Sequence, residues 1–321
     1  MVASTLENNL DSVSTATSLL LRPPAKINLS LLVYDKRPDG YHDLHSLMAT
    51  INLHDKLNLE ITDRPGIQLI CQGLPCPTTS DNLVVRAAQQ LAQYAGLQPA
   101  LRLSLTKRIP AGAGLGGASS DAAACLWGLN RLWRLDLPTE ELDYLAASLG
   151  SDVPFFLHGP VALCTGRGEI VRPLPLRCRM PILLILPDIH TPTSLVYQNY
   201  TFQPDRMEED IRLIRYYLRL GDLDGLLFQG INSLTEVTMT LFEPLRCLRK
   251  EIRQWGIAPV HMSGSGSALF VPGRSLQQLK HWGQLIWNRS TTPCRVVHVL
   301  DRELYDSEAD HADYGDTNQT G

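Results

Sequence analysis

The N-terminal third of the chain contains short segments in which apolar and polar residues alternate, the pattern of a half-buried β-strand. Segments 26–34, 56–61, 67–71 and 101–105 share this alternation and are rich in leucine and isoleucine. The sequence Arg37-Pro-Asp-Gly40, just after the first of them, is typical of a turn. These patterns predict four strands with a turn after the first.

Apolar residues recur instead at helical spacing in segment 82–95, which ends before Gly96. A second amphipathic helix is predicted from Asp121, with Ala122, Leu126 and Leu129 on one face. Further helices are predicted at 139–149, 205–220, 244–255 and 275–287, and further strands at 161–165, 182–186, 260–262, 268–271 and 296–300. This mixture predicts an α+β protein with two domains, residues 21–175 and 176–300.

The two ends of the chain differ from this pattern. Residues 1–20 are rich in serine and threonine and contain no basic residue, so we expect a flexible extension and not a secretion or transit signal. Residues 301–321 are acidic and show no apolar periodicity, which predicts a disordered tail.

Composition narrows the class of protein. The net charge is −4 and no cluster of lysine and arginine has the pattern of a stripe that binds a nucleic-acid groove, so we expect no nucleic-acid partner. No apolar run is long enough to predict a membrane helix. The seven cysteines include no C-x-x-C pair and favour reduced thiols. We therefore expect a cytoplasmic protein, a monomer or weak homodimer, that acts on a small molecule.

The most informative segment is Pro110-Ala-Gly-Ala-Gly-Leu-Gly-Gly-Ala-Ser-Ser120, which leads into the predicted helix at Asp121. Glycines allow a positive φ and leave room for a ligand close to the backbone. The start of a helix offers unpaired N–H groups and the positive end of a dipole. The segment therefore predicts a phosphate-binding loop.

Three other interpretations of this loop compete. The Walker motif requires a lysine after the glycines, and none follows here. Gly112, Gly114 and Gly117 match a dinucleotide fingerprint, and Asp136 lies about twenty residues further on. That fingerprint needs a second strand before its acid, and helical spacing continues to Trp133 instead. A glycine-rich turn without a ligand is the remaining alternative.

The loop resembles the ATP loop of the GHMP kinases, which include galactokinases, homoserine kinases and mevalonate kinases. Two further motifs of that superfamily are matched in order by Pro24-Ala-Lys-Ile-Asn-Leu29 and by Met262-Ser-Gly-Ser-Gly-Ser-Ala268. The resemblance spans roughly residues 22–300. It implies a ribosomal-protein-S5-like N-terminal domain, a ferredoxin-like C-terminal domain, and kinase activity with ATP and Mg²⁺. The ATP-binding residues it implies are Pro110, Ala111, Gly112, Ala113, Gly114, Leu115, Gly116, Gly117, Ala118, Ser119 and Ser120.

Two segments resemble one branch of the superfamily. They are Arg37-Pro-Asp-Gly-Tyr-His-Asp-Leu-His45 and Gly150-Ser-Asp-Val-Pro-Phe-Phe156. The resemblance implies ATP-dependent phosphorylation of a hydroxyl on a polyol that is linked to cytidine diphosphate, in isoprenoid precursor biosynthesis. The same fold with homoserine or a mevalonate phosphate as acceptor, a nucleotide-binding protein without catalysis, and a dehydrogenase are the alternatives.

Phosphoryl transfer needs a group that takes or orients the proton of the acceptor, and positive charge for the transition state. Asp152 is the candidate general base, although it could instead cap the segment that follows. Lys26 lies in an otherwise apolar strand, and a buried lysine requires a partner. We expect Lys26 to pair with Asp152, the alternative being a lysine that extends to water.

The substrate-binding residues implied by the resemblance are Asn28, Tyr41, His42, Thr193 and Tyr197. Tyr41 and His42, exposed together, would stack on and hydrogen-bond a cytosine, whereas an arbitrary Tyr-His pair would place one residue in the core and one on the surface. Asn28 shares a strand face with Lys26 by period two.

Two hydroxyls and a second glycine loop complete the candidate site. Ser119 and Ser120 are candidates to hold Mg²⁺ or phosphate, and we expect one of them to cap the following helix. Gly264, Ser265 and Gly266 form a supporting loop, in which the glycines allow close approach to the phosphate loop or only make a tight turn. No other metal ligands are assigned.

Overall fold

The computed structural model describes residues 17–301 of the chain. Most of the predicted extension 1–20 and the predicted tail 301–321 therefore lie outside the described residues. The extension was predicted too long, because Ser18–Leu21 forms strand β1. Leu19 and Leu21 pack against the core, and β1 pairs with a neighbouring strand. The serines and threonines around these leucines obscured the apolar pattern of the strand in the sequence.

The first sheet has four strands in the order β1, β4 (Lys56–Ile61), β6 (Ala100–Lys107) and β5 (Gly66–Gly73). Strands β5 and β6 run parallel, and the remaining pairs are antiparallel. Helices α1 (Leu83–Tyr94), α2 (Gly117–Leu132) and α3 (Thr139–Leu149) bury their apolar residues in one core with this sheet. The glycine loop connects β6 to α2, so it lies where a strand of this sheet meets a helix that covers it.

The second sheet has five strands in the order β10 (Ile231–Asn232), β2 (Pro24–Lys36), β3 (His42–His54), β7 (Val161–Gly166) and β8 (Ile170–Pro173). Strands β2 and β3 form a long antiparallel pair, and β10 joins β2 in parallel. The 3-10 helix Pro154–Leu157 precedes β7. The residues of β2 are almost all buried, and Lys26 and Asn28 lie among them.

The third sheet is antiparallel throughout, in the order β11 (His261–Met262), β12 (Leu269–Pro272), β9 (Ile182–Ile185) and β13 (Cys294–Val297). The helices of this half are α4 (Thr193–Gln198), α5 (Pro204–Leu220), α6 (Leu223–Gln229), α7 (Thr235–Leu241), α8 (Glu243–Gln254) and α9 (Leu276–Ser290). None of the helices within residues 17–301 is long and apolar enough to cross a membrane.

The α+β class is confirmed, whereas the domain boundary at residue 175 stays a prediction. A core cluster joins Ile27 and Leu29 of β2 to Ile182 of β9 and Leu226 of α6. The C-terminal half also contributes β10 to the N-terminal sheet. Because the two halves share buried surface, residues from both can meet at one site.

Candidate active site

The glycine loop enters helix α2 earlier than predicted. The helix begins at Gly117, and Gly116 precedes it with φ +69° and no side-chain cap. The prediction that Ser119 or Ser120 caps the helix was therefore wrong, because both lie in its first turn. A left-handed glycine replaces the capping side chain, so the first N–H groups of α2 point into the loop without a protein side chain to satisfy them.

At two positions of the loop, glycine is required because neighbouring atoms leave no room for a Cβ and because φ is positive. A Cβ on Gly116 would lie 3.0 Å from the Lys26 Cγ and 3.0 Å from a ring carbon of Phe156. A Cβ on Gly114 would overlap the Ser263 carbonyl oxygen. The loop is thus held between strand β2 and the C-terminal glycine loop, and its open side remains for a ligand.

Lys26 and Asp152 form the predicted ion pair. Lys26 Nζ lies 3.6 Å from Asp152 Oδ2, and the Lys26 side chain is only 4% exposed against 32% for Asp152. Lys26 Nζ also donates to Asn28 Oδ1 over 2.7 Å, and Asn28 Nδ2 donates to Ser46 Oγ over 2.8 Å. The buried ammonium is therefore fixed on one side by an amide and on the other by a carboxylate that reaches solvent.

The backbone also connects Lys26 to the glycine loop, since its N–H donates to the Leu115 carbonyl over 2.9 Å. Asp152 lies in the turn between α3 and the 3-10 helix. The residue that caps this 3-10 helix is Val153, so the alternative in which Asp152 is the cap was wrong. Burial of Lys26 likewise excludes a lysine that extends to water. The roles of Lys26 and Asp152 in catalysis stay a prediction, and their geometry suits it.

The supporting loop lies directly against the glycine loop. Ser263 Oγ donates to the Gly114 carbonyl over 3.0 Å, and the Ala268 N–H donates to the Ala113 carbonyl over 3.1 Å. Asn232 Nδ2 donates to the Gly264 carbonyl over 2.9 Å, which ties this loop to β10. The contact that Gly264 was predicted to allow is present, because its backbone lies beside that of Gly114.

Thr193 and Ser265 extend this contact to α4, with 3.0 Å between their hydroxyl oxygens. Thr238 of α7 donates to the Ser265 carbonyl over 3.3 Å. Gly266 is packed against Met262 and the methyl group of Thr238. The supporting loop is thus held by α4 and α7 as well as by the glycine loop.

Tyr41 and His42 are not exposed together, which corrects the geometry that the sequence predicted. His42 is 8% exposed, its Nδ1 lies 2.8 Å from the Tyr34 carbonyl oxygen, and Tyr41 is 53% exposed. The His42 ring lies 5.8 Å from the Tyr197 ring. His42 is the first residue of β3 and faces Tyr197 of α4, whereas Tyr41 precedes the strand and is exposed. The Arg167 guanidinium lies 5.0 Å from the centre of the Tyr41 ring.

The structure therefore brings His42 and Tyr197 together, although they are far apart in the chain. Burial, followed by the charge of Asp152, raises the pKa of the Tyr197 hydroxyl. Tyr197 is thus within the electrostatic influence of Asp152. We call the His42–Tyr197 pair the aromatic edge of the site.

A buried ion triad beneath the loop was not predicted. Lys107 Nζ contacts Asp55 Oδ2 and lies 2.7 Å from Asp121 Oδ2, and all three side chains are at most 4% exposed. Asp55 also accepts the backbone N–H groups of Arg108 and Ile109. Lys107 and Asp121 flank the glycine segment in sequence, so their pairing could have been predicted. Asp55 is distant in the chain, and its place in the triad could not.

The triad sets unusual pKa values. Burial raises the pKa of Asp121 to about 7, and Lys107 only partly offsets that effect. Burial alone would lower the pKa of Lys107, yet the charges of Asp121 and Asp55 outweigh it and raise that pKa. The triad fastens the end of β6 and the start of α2 at the two ends of the glycine loop.

His190 is a further residue that the sequence did not indicate. It is exposed, and its Nδ1 would lie 2.9 Å from a Cβ on Gly112. Thr191, its neighbour, donates to the Gly112 carbonyl over 3.4 Å. The imidazole therefore lies beside the glycine loop. No sequence pattern predicts this position for His190.

Neither a metal cluster nor a dinucleotide fold is found in the described part of the chain. Residues 17–301 contain no group of three His, Cys, Asp or Glu residues arranged to hold a metal ion. Ser120 Oγ is buried without a hydrogen-bond partner, and Ser119 is partly exposed.

Helix α2 is followed by α3 with no strand between them, so Asp136 does not end a second strand.

Comparisons with known proteins identify the family of the chain. Residues 82–160, which contain the glycine loop and Asp152, match the family described as the GHMP kinases N terminal domain. The chain is 39% identical over 288 residues to 4-diphosphocytidyl-2-C-methyl-D-erythritol kinase of Bacillus pumilus, covering 88% of this chain and 96% of that relative. A relative of the same name in Geobacter sulfurreducens is 36% identical over 256 residues, covering 79% and 89% of the two chains.

Solved structures show the same fold. A crystal structure of 4-(cytidine 5'-diphospho)-2C-methyl-D-erythritol kinase superposes with a TM-score of 0.69 at 33% identity, over 87% of this chain and 99% of that one. Homoserine kinase from Cytophaga hutchinsonii superposes with a TM-score of 0.69 at 17% identity, over 94% and 97%. At that lower identity the second likeness concerns the fold alone.

Proposed function

The chain belongs to the 4-diphosphocytidyl-2-C-methyl-D-erythritol kinases, a branch of the GHMP kinases, and from this membership we propose how its residues act. The reaction transfers the γ-phosphoryl group of ATP to the 2-hydroxyl of 4-diphosphocytidyl-2-C-methyl-D-erythritol, in isoprenoid precursor biosynthesis. The products are the 2-phosphate and ADP.

The observation that carries the mechanism is the Lys26–Asp152 pair next to the glycine loop. The loop and the first turn of α2 bind the triphosphate through backbone N–H groups. Asp152, the more exposed partner, accepts or orients the proton of the 2-hydroxyl, an effect worth about 10²–10⁴ in rate. Lys26 orients the Asp152 carboxylate and places positive charge next to the acceptor oxygen.

Mg²⁺ fits this site as an ion held mainly by the phosphates of ATP. It commonly uses one or two protein ligands together with substrate phosphates. Ser119 and Ser120 would supply hydroxyls, and the buried Ser120 Oγ is a polar atom that has no partner within residues 17–301. When bound, Mg²⁺ neutralises charge on the transferred phosphoryl group.

The cytidine end of the substrate meets the aromatic edge of the site. Tyr41 is exposed and supplies a stacking face, and Tyr197 lies deeper against His42. His42 acts through the position of Tyr197 and of strand β3, because its Nδ1 is already engaged by the Tyr34 carbonyl. Asn28 is hydrogen-bonded to Lys26, and Thr193 to the supporting loop, and from these positions they contact the polyol hydroxyls.

The decisive experiment supplies the purified protein with ATP, Mg²⁺ and each of three acceptors, and follows products by ³¹P NMR. We expect ADP and a new phosphate monoester with 4-diphosphocytidyl-2-C-methyl-D-erythritol. Turnover with homoserine or phosphomevalonate and none with this substrate would contradict the proposal. ATP binding without ADP formation from any acceptor would favour a nucleotide-binding protein instead.

The cytoplasmic location and the monomeric or weakly dimeric state inferred from the sequence stay predictions. The site itself is formed by residues of a single chain, since β2, the turn before the 3-10 helix and both glycine loops supply it. A second copy is therefore not required by this mechanism.

A further inference from the structure

A cavity of about 470 Å³ lies between helices α7 and α8. None of its lining residues belongs to the phosphoryl-transfer site described above. We call it the α7–α8 groove. Its lining residues are Glu236, Met239, Arg246, Arg249, Lys250, Arg253 and Gln254.

The cations of this groove share one face of α8. Arg246, Arg249, Lys250 and Arg253 follow the i, i+3, i+4, i+7 spacing, which places them in one stripe along the helix. Leu245, Leu248 and Ile252 are buried elsewhere on the same helix. Four positive charges therefore line the groove against the single carboxylate of Glu236.

Most of the groove cations have no carboxylate partner within the described residues. On α5, Arg206 pairs with Asp210, and Arg212 pairs with Glu208. Of the four groove cations, only Arg246 forms an ion pair with another described residue, Glu243. The groove lining therefore carries an excess of positive charge that its own side chains do not neutralise.

Arg249 is held in place despite the like charges around it. It is partly buried, and its Nε donates to the Val260 carbonyl over 3.1 Å. Burial first, and the charge of Arg253 second, lower the pKa of Arg249. Holding these cations together costs free energy that a bound anion would recover.

We propose that the α7–α8 groove binds a small molecule that carries a diphosphate group, with the guanidinium forks of Arg249 and Arg253 and the ammonium of Lys250 as its ligands. Guanidinium groups bind phosphate oxygens in bidentate fashion, and a diphosphate presents enough oxygens for two forks and one ammonium. The buried Met239 supplies an apolar surface within the groove for an organic substituent. A single phosphate satisfies fewer of these cations.

Isothermal titration of inorganic pyrophosphate into the full chain, in buffer without Mg²⁺, tests the proposal. The test variant is Lys250→Gln/Arg253→Gln, because both side chains are exposed and their replacement leaves the core intact. The matched control is Arg212→Gln/Arg219→Gln, which removes the same charge from exposed positions of α5. The glycine loop is unchanged in all three proteins, so a difference between the variants reports on the groove.

We expect wild type and control to bind pyrophosphate at the groove with the same affinity. In the test variant this binding should be lost or at least about tenfold weaker, because one to two charge-assisted contacts are removed. Inorganic phosphate should bind the groove at least about tenfold more weakly than pyrophosphate does. Equal isotherms for the test and control variants would overturn the proposal, whether both keep this binding or both lose it to general charge attraction. Equal affinity for phosphate and pyrophosphate would also overturn it.

Discussion

The backbone of Gly114 lies so close to that of Ser263 that a methyl group on Gly114 would overlap the Ser263 carbonyl oxygen. Ser263 Oγ donates to the Gly114 carbonyl across the same contact. Residues 149 positions apart in the chain are thereby joined into one wall of the site. The glycines of the two loops serve this contact as much as they serve the ligand.

Replacement of Gly114 by alanine should therefore weaken both stability and ATP binding. The left-handed φ of +73° costs about 1–2 kcal/mol for an alanine, and the overlap with Ser263 adds to that cost by separating the loops. We expect a rise of at least about tenfold in KM for ATP, equivalent to about 1.4 kcal/mol, measured by steady-state kinetics.

Gly40→Ala is the matched control for this prediction. Gly40 has φ +86°, and nothing lies within 4 Å of its Cβ position, so its replacement introduces the backbone strain alone. Equal effects of the two substitutions on KM for ATP would show that the contact between the loops is unimportant.

Asp152→Asn should lower kcat by about 10²–10⁴ with little change in KM for ATP, because the amide cannot accept the proton of the acceptor hydroxyl. The matched control is Asp143→Asn on α3, whose carboxylate pairs with His158 and not with Lys26. Single-turnover measurements separate the chemical step from product release. Full activity in the Asp152 variant would assign that residue a structural role only.

Sequence patterns predicted the strands and helices that have a clean period. Strands β2, β4 and β6 and helix α1 lie where alternation or helical spacing placed them. Strand β3 was missed because its polar residues are buried and hydrogen-bonded. Ser46 donates to the Ser30 carbonyl inside the sheet, so the sequence of β3 resembles neither a buried nor a half-buried strand.

The sequence predicted those parts of the candidate site that the type of a single residue indicates. A lone lysine in an apolar strand required a partner, and the resemblance indicated Asp152. The inward turn of His42 depends on the register of β3, which no local pattern reveals. Asp55 reaches Lys107 across 52 positions, a tertiary contact that neither residue type nor spacing encodes.

Lys107→Met should destabilise the protein by about 3–5 kcal/mol, because it leaves the carboxylates of Asp55 and Asp121 buried without their cation. Chemical denaturation measures this change in the free energy of unfolding. The control is Lys56→Met on the neighbouring strand β4, a lysine that forms no ion pair with another described residue and should change stability by less than about 1 kcal/mol. Similar losses in both variants would show that the triad contributes no more than a surface charge.

His261 should make stability depend on pH below neutrality. Burial chiefly, and then the charges of Arg249 and Arg253, lower its pKa from 6.5 to about 4, against the opposing hydrogen bond to the Phe228 carbonyl. The unfolded chain therefore takes up a proton before the folded protein does. The stability that the neutral imidazole contributes is complete above pH 6.5 and is lost as pH falls towards 4.

The comparison with His261→Gln isolates this effect from carboxylates that titrate in the same range. The stability of wild type relative to the variant should fall between pH 6.5 and pH 4 by an amount on the order of 1–3 kcal/mol. His281→Gln, at an exposed position of α9, is the control and should follow the wild-type profile. Parallel profiles for wild type and His261→Gln would refute the assignment of this pH dependence to His261.

Tyr41→Ala should raise KM for the diphosphocytidyl substrate by about tenfold, because an exposed aromatic ring that stacks on a base contributes about 1–3 kcal/mol. KM for ATP should change by less than about twofold, since this ring packs against the Arg167 guanidinium, which is not part of the glycine loop. Tyr41→Phe should retain wild-type KM values if stacking is the contribution. The control is Tyr216→Ala on α5, a tyrosine of similar exposure that belongs to neither site. An unchanged KM for the substrate in Tyr41→Ala, measured alongside that control, would place the cytidine away from Tyr41 and against Tyr197 alone.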